Sequence, residues 1–554
     1  MTLPRCFFLL LFLSLALFPI GSAAQDDLHR KKFIELGWDI PNTAYLKEHH
    51  DEMQRTTPFD GVMLALEATA PNGKRHSSQS MMDTQPWEPA WFAAAVEDLK
   101  ACRWTTFTDN FLRFNFTPGQ IDWHDDNGWT IFCNKTALCA KIAQETGLKG
   151  FAVDFEPYGK EVFKYAADSK HSFDEMKQIV RQRGKQWMEA IAAEYPDMVL
   201  LTLFIGEANI QLHSPVKYDY TDNSLQPFQY GLLPAFFNGM LDAVPPKMRI
   251  VDGCESGYYK NGIYEFAHHA LAIKSINGPA VQLVAPENRQ KYISQVQIGF
   301  GFYLDMYANP PEHFYYRGPK EGGTRLDRLE ENLTAAWETT DEYVWIYGEQ
   351  RRWWKPVNPD EKWEHWEEAM PGMSQTIQFA KDPWEAVKAK LKELKKEDRA
   401  VNLLQNPDFA ESMENWTYWQ GTPLGTCSWD DGSVKVSRAQ WGCFLQNVYP
   451  VKPGEYYYVA IDYKQEGAGH VDMRILWKNT ENKTIRESEA RVFGFETEPE
   501  CLDGRSLAEG WSRAEGIIRV LDGASGLQVL LTIRDQPTDA DAVWLDNAVV
   551  IRLR

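Results

Sequence analysis

Two acidic side chains in Leu148-Lys149-Gly150-Phe151-Ala152-Val153-Asp154-Phe155-Glu156-Pro157-Tyr158 are spaced for chemistry. An apolar run ends at Asp154, and the period-two alternation of a strand puts Asp154 and Glu156 on one side, one step apart. Two carboxylates that close repel each other when both are ionised, so one keeps its proton near neutrality and can serve as a general acid. Cleavage of a glycosidic bond needs such an acid at the leaving oxygen and a second group on the far side of the sugar. The structural alternative is an ion-paired acid at a strand end, or helix capping by Asp154. Other apolar runs also end in acids: Asp39, Glu67, Asp109, Glu207, Glu255, Asp305 and Glu349. Glu255, in Val251-Asp252-Gly253-Cys254-Glu255, is the first choice for the second carboxylate, followed by Glu349 and Asp305. The candidate catalytic set is therefore Glu156, Asp154 and Glu255. Asp109, Asp305 and Glu349 are expected to bond sugar hydroxyls if they do not react.

Aromatic residues sit beside these acids, notably Trp38, Tyr158, Tyr258 and Trp345. An indole or phenol covers the apolar C–H face of a sugar while its rim stays wet, so these four are candidate substrate platforms. The aromatic content is 13%, with 21 Trp, in a chain of net charge −20. That balance argues against nucleic acid and anionic membrane as partners and fits an uncharged polysaccharide or glycan. His49-His50 and His268-His269 are adjacent pairs that point apart on a helix, so no metal site is expected from them. H-E-x-x-H, G-x-S-x-G and phosphate-loop motifs are missing from the sequence, and catalysis is expected to need no cofactor.

These residues require a scaffold that gathers strand ends. From residue 33 to about 400, β-type runs alternate with amphipathic helical ones, the pattern of a parallel α/β fold. Strands are expected at 33–38, 61–66, 104–108, 150–154, 198–205, 249–253, 296–304 and 343–347. Helices are expected at 42–55, 88–100, 136–146, 172–194, 228–244, 264–275, 325–339 and 382–398. Eight strand-helix units suggest a (β/α)8 TIM barrel over 25–400, whose catalytic groups stand at the C-terminal strand ends. An open doubly wound sheet is the alternative, disfavoured because no Gly-rich loop follows a strand. Beyond 400, short alternating runs with turn signals predict an all-β antiparallel sandwich over 401–554.

Residues 1–24 carry one positive charge, an apolar run from Cys6 to Ile20 and small residues at Ser22-Ala23-Ala24, which predicts a cleaved secretory leader and a secreted protein. No later run is long and apolar enough to predict membrane insertion. The cysteines beyond the leader are odd in number; Cys133 with Cys139, and Cys427 with Cys443, are candidate pairs that spacing does not decide.

Two stretches resemble known families. Asn402-Leu403-Leu404-Gln405-Asn406-Pro407-Asp408-Phe409, Val451-Lys452-Pro453-Gly454-Glu455-Tyr456 and Trp544-Leu545-Asp546-Asn547 are similar to carbohydrate-binding modules of families 4 and 9. That resemblance implies a glycan-binding jelly roll with a structural calcium. Gly150-Phe151-x-Val153-Asp154-x-Glu156 resembles the fourth-strand signature of glycoside hydrolase family 18, which would make Glu156 the acid and Asp154 the residue orienting a substrate N-acetyl group. Lys149 and Ala152 stand where that family carries acids, so a barrel glycosidase, rather than that family, is the expectation. The chain as a whole reads as a secreted glycoside hydrolase held on its substrate by a binding module; the alternative is a non-catalytic glycan-binding protein on a barrel scaffold.

Overall fold

The structure is a computed structural model that describes residues 31–38, 40–166, 169–214, 217–218, 222–319, 323–358, 360–397, 399–421, 425–485, 490–494, 505–521 and 523–554. The expected leader at 1–24, Asp39 and Cys501 lie outside the described residues. The chain divides into two units that meet between Lys381 and Asp382.

In the first unit, runs of β-branched and aromatic residues form parallel strands: β1 Lys32–Gly37, β2 Gly61–Leu64, β3 Phe111–Asn115, β4 Gly150–Asp154, β5 Val199–Thr202, β6 Arg249–Asp252, β7 Val296–Ile298, β8 Phe300–Tyr303 and β9 Tyr343–Gly348. Their order in one sheet is β7-β6-β5-β4-β3-β2-β1-β9-β8. The two ends of that order are consecutive along the chain, interrupted at Gly299. Its N–H donates to the Asp252 carbonyl of β6 at 2.8 Å, and the next residue, Phe300, is already in register with Val344 of β9. The sheet is thus a nearly closed nine-strand parallel barrel. Only glycine fits the seam, because a Cβ at 299 would come 2.8 Å from the Tyr343 carbonyl oxygen.

Amphipathic helices cover the outside: α1 Thr43–Thr56, α2 Ala93–Ala101, α3 Asp126–Glu145, α4 Phe173–Glu194, α5 Leu233–Ala243, α6 Gly262–Lys274 and α7 Arg325–Thr339. Their starts follow local chemistry. Ser172 and Glu175 form a reciprocal capping box at α4, and Thr324 and Asp327 another at α7, each satisfying amide donors that a helix start leaves open.

The expected third strand is corrected. Residues 104–108 form no strand, and the third strand is β3, Phe111–Asn115. The inward positions of β3 are Arg113 and Asn115, whose polarity hides the apolar alternation that marks the other strands. The third helix also starts earlier than expected, with Asp125 as its cap and Trp129 and Phe132 on its buried face.

The second unit begins with α8, Pro383–Lys396, capped by Asp382 with Pro383 in the first turn. Its strands are β10 Thr417–Gln420, β11 Thr426–Asp430, β12 Ser433–Ser437, β13 Trp441–Val448, β14 Tyr456–Glu466, β15 His470–Lys478, β16 Ala490–Gly494, β17 Arg505–Ser506, β18 Ser512–Arg519, β19 Gly526–Arg534 and β20 Ala542–Arg552. They form two separate antiparallel sheets, ordered β10-β13-β19-β15-β16 and β11-β12-β20-β14-β18-β17. Alternate side chains from both, including Phe444, Tyr457, Trp477 and Leu531, make this unit's own core.

Neither candidate cysteine pair forms. Cys102, Cys133, Cys139, Cys254, Cys427 and Cys443 are all free thiols. Cys133 and Cys139 both lie within the continuous helix α3, where a spacing of six residues sets side chains on diverging faces.

Candidate active site

The C-terminal ends of the barrel strands surround a cavity of about 740 Å³. Glu156, just past β4, is exposed on its wall, and its Oε2 accepts a hydrogen bond from the Tyr158 hydroxyl at 2.6 Å. Asp154 at the end of β4 does not share that wall. It is 1% exposed, its Oδ2 is ion-paired with Arg113 Nη2 from β3 at 2.5 Å, and its Oδ1 accepts the Glu156 amide at 2.8 Å. The acidic pair expected one step apart is thus divided between a buried strut and an open carboxylate.

Glu255 lines the same cavity from the turn after β6. Burial, and then the negative charges of Asp154, Glu156 and Glu207, push its carboxyl up to about 8. The turn that carries it contains Cys254, a non-glycine residue in the left-handed region with φ 39°. A buried polar brace holds this turn. Glu207, past β5, accepts the Ser256 hydroxyl and, at 3.2 Å, the Ser256 amide, and its Oε1 is 3.0 Å from His269 Nε2 of α6. Asp252 in turn accepts the Ile205 and Glu207 amides at 3.1 and 2.8 Å, and burial followed by the Glu207 charge raises it to about 7. Cys254 brings its sulfur within 4.8 Å of donor atoms of Glu207 and His269, the one such donor group among the described residues. The Ser256 hydroxyl and amide both donate to the Glu207 carboxylate, so Glu207 braces the turn beneath Glu255.

The aromatic candidates fall into two levels. Trp345 is fully buried in the cavity floor, with its Nε1 donating to the Gly253 carbonyl at 2.7 Å, and its ring centroid is 5.5 Å from that of Tyr258. Trp38 and Tyr158 stand at the rim, 66% and 58% exposed. Glu349 reaches the cavity from the end of β9 and accepts the Tyr303 hydroxyl.

Two expected substrate contacts are placed elsewhere. Asp305 is fully buried and binds the Glu349 amide at 2.6 Å and Arg351 at 2.9 Å, so it shapes the turn that carries Glu349. Asp109 precedes β3 rather than ending a strand, and it accepts the hydroxyl of Tyr343, the first residue of β9, at 2.8 Å. It therefore stands at the opposite end of the sheet from Glu156. Inward residues absent from the expected set include Arg113, Asn115 and Tyr347, all on the cavity wall. Strand alternation in Tyr343–Gly348 signals Tyr347, whereas Arg113 and Asn115 carry no such signal because their polarity breaks the apolar pattern.

No protein-family model matches the chain, and no curated protein matches it. Among solved structures, it is similar to the enzymatically active domain of a bacteriophage CBA120 tailspike protein, at 14% identity over 27% of this chain and TM-score 0.22. This chain covers about a fifth of that one, 21%. A family 61 carbohydrate-binding module in complex with β-1,4-galactotriose matches at 13% identity, over 28% of this chain and 99% of its own, with TM-score 0.19. The family 22 xylan-binding domain of Paenibacillus barcinonensis matches at 14% identity, over 28% of this chain and 96% of its own, with TM-score 0.20.

Proposed function

We propose that this chain is a secreted glycoside hydrolase, a (β/α)8 barrel carrying a jelly-roll glycan-binding module. The observation that carries the reading is that Glu156 and Glu255 open into one aromatic-floored cavity in different electrostatic settings. Glycoside hydrolysis divides its work between a protonated carboxyl and an ionised one. Glu255, whose charged form is disfavoured by burial and by three neighbouring acids, is the proton donor to the leaving oxygen. Glu156, an acceptor for Tyr158, is the carboxylate that acts from the other side of the sugar, as nucleophile or as base for water. Glu156 is thus not the acid that the fourth-strand resemblance implies. Asp154 positions rather than reacts: it neutralises Arg113 and holds the Glu156 amide.

Replacement of either glutamate by glutamine tests this. Glu255→Gln and Glu156→Gln are each expected to lower kcat on a cleaved glycan by a factor of at least about 10², with the fold retained in both. Azide is expected to restore turnover to an Ala variant at the nucleophile position if the reaction retains configuration. Full glycan cleavage by both glutamine variants would sink the assignment, and binding without any cleavage by the parent chain would favour a non-catalytic glycan-binding protein.

In the second unit, Trp419 and Trp441 lie on the adjacent strands β10 and β13 and are 53% and 54% exposed, an arrangement that suits stacking on sugar rings. The calcium that the module resemblance implies would be drawn to Asp408 and Asp546, one from each end motif, whose charges act on each other. Burial, Asp462 and Asp408 together raise Asp546 to about 6, so a cation there would relieve crowded negative charge.

A further inference from the structure

Arg113 and Asn115 sit two apart on β3, so both point inward, and both line the cavity. They are 5% and 7% exposed. Arg113 spends one nitrogen, Nη2, on Asp154, while its Nε and Nη1 and the Asn115 Oδ1 are buried with no hydrogen-bond partner. A buried polar atom left unpaired forfeits its hydration without compensation, and here an unpaired acceptor and unpaired donors occur together on one strand beside Glu156.

We propose that Arg113 and Asn115 form a subsite for an uncharged sugar ring, with Arg113 donating to a ring substituent and Asn115 Oδ1 accepting from one. The proposal rests on the glycosidase reading and adds the charge class of its substrate. A sugar hydroxyl both donates and accepts, so neighbouring hydroxyls complete the two residues at once. A uronate or sulfate ester would satisfy the guanidinium but set its oxygens against Asn115 Oδ1. Its charge would also find no counter-ion at Arg113, already neutralised by Asp154, and would enter a wall on which Glu156, Glu207 and Glu349 outnumber the one lysine, Lys260. Desolvated like charges repel strongly, so the site selects neutral glycans.

Turnover by the full chain is the appropriate readout, because glycan bound by the second unit does not contribute to it. Uncharged oligosaccharides of glucose, mannose, galactose and xylose are compared with uronate-containing and sulfated ones. Cleavage is expected within the neutral set alone. Asn115→Ala is expected to lower kcat/KM on the cleaved glycan at least tenfold with an unchanged melting temperature, and Asn115→Asp to lower it further by adding a charge. Arg113→Lys, which keeps the charge beside Asp154, is expected to lose at least tenfold through the lost donors. Preferential cleavage of the anionic set, or parental turnover by Asn115→Ala, overturns the subsite while leaving the glycosidase reading intact. Absence of cleavage across both sets overturns the glycosidase reading and the subsite with it.

Discussion

At the scale of single residues, the site is a division of labour among carboxyls that look equivalent in sequence. Glu156 and Glu255 face the cavity, while Asp154, Asp252 and Asp305 are buried and engaged by backbone amides or arginines. The setting of Glu255 has a measurable pH consequence. Its carboxyl is raised from the ordinary value to about 8, so the donor stays protonated through neutrality, and kcat/KM is expected to fall as pH rises through about 8. A pH–rate profile flat beyond pH 9 would remove Glu255 from the donor role. Stability follows the same sign. The unfolded carboxyl ionises near 4.5 and the folded one near 8, so the fold loses stability as pH rises between these values and then levels off. Glu255→Gln removes that loss, and its melting temperature is expected to exceed the parent's at pH 9 and match it at pH 4. Glu156 and Glu255 were legible because each follows an apolar run that ends at the rim. Arg113 and Asn115 were not, because an inward polar residue in a strand looks like a loop residue until the barrel surrounds it.

At the scale of elements, every expected strand except the third has a counterpart near its expected place. The third was misplaced because Trp104–Thr108 carries β-formers without pairing, whereas Phe111–Asn115 pairs with β4 from Phe111↔Gly150 to Asn115↔Asp154. Asp109 lost its expected role by the same shift, since a few residues move a side chain from the top of a strand to the bottom. Helix starts marked by a Ser or Thr followed by an acid three residues on, as at Ser172 and Thr324, were located within about one residue, because capping is local chemistry. The register that aims Glu156 depends on close approach. A Cβ at Gly150 would lie 1.9 Å from the Val199 carbonyl oxygen on β5. Gly150→Ala is therefore expected to cost roughly 1–3 kcal/mol by overpacking, seen as a lower melting temperature. It should also lower kcat, because Glu156 is carried at the end of the displaced strand.

At the scale of the whole molecule, the change of pattern near residue 400 announces an α/β part and an all-β part. The structural division falls between Lys381 and Asp382, so helix α8 groups with the second unit. A helical run alone does not tell which core it belongs to. Because the second unit has its own core, residues 382–554 expressed alone are expected to melt cooperatively. A calcium chelator is expected to lower that melting temperature, and an unchanged melt would argue against a structural calcium. The pairing of β1 with β9 carries a different consequence, for the order in which the protein is made. Lys32 at the start of β1 pairs with Tyr343 at the start of β9, so the earliest-made strand waits for the last-made one. Until then β1 presents an unpaired edge, and such an edge invites pairing with other chains. The interval between synthesis of β1 and of β9 is thus when this protein most needs a chaperone.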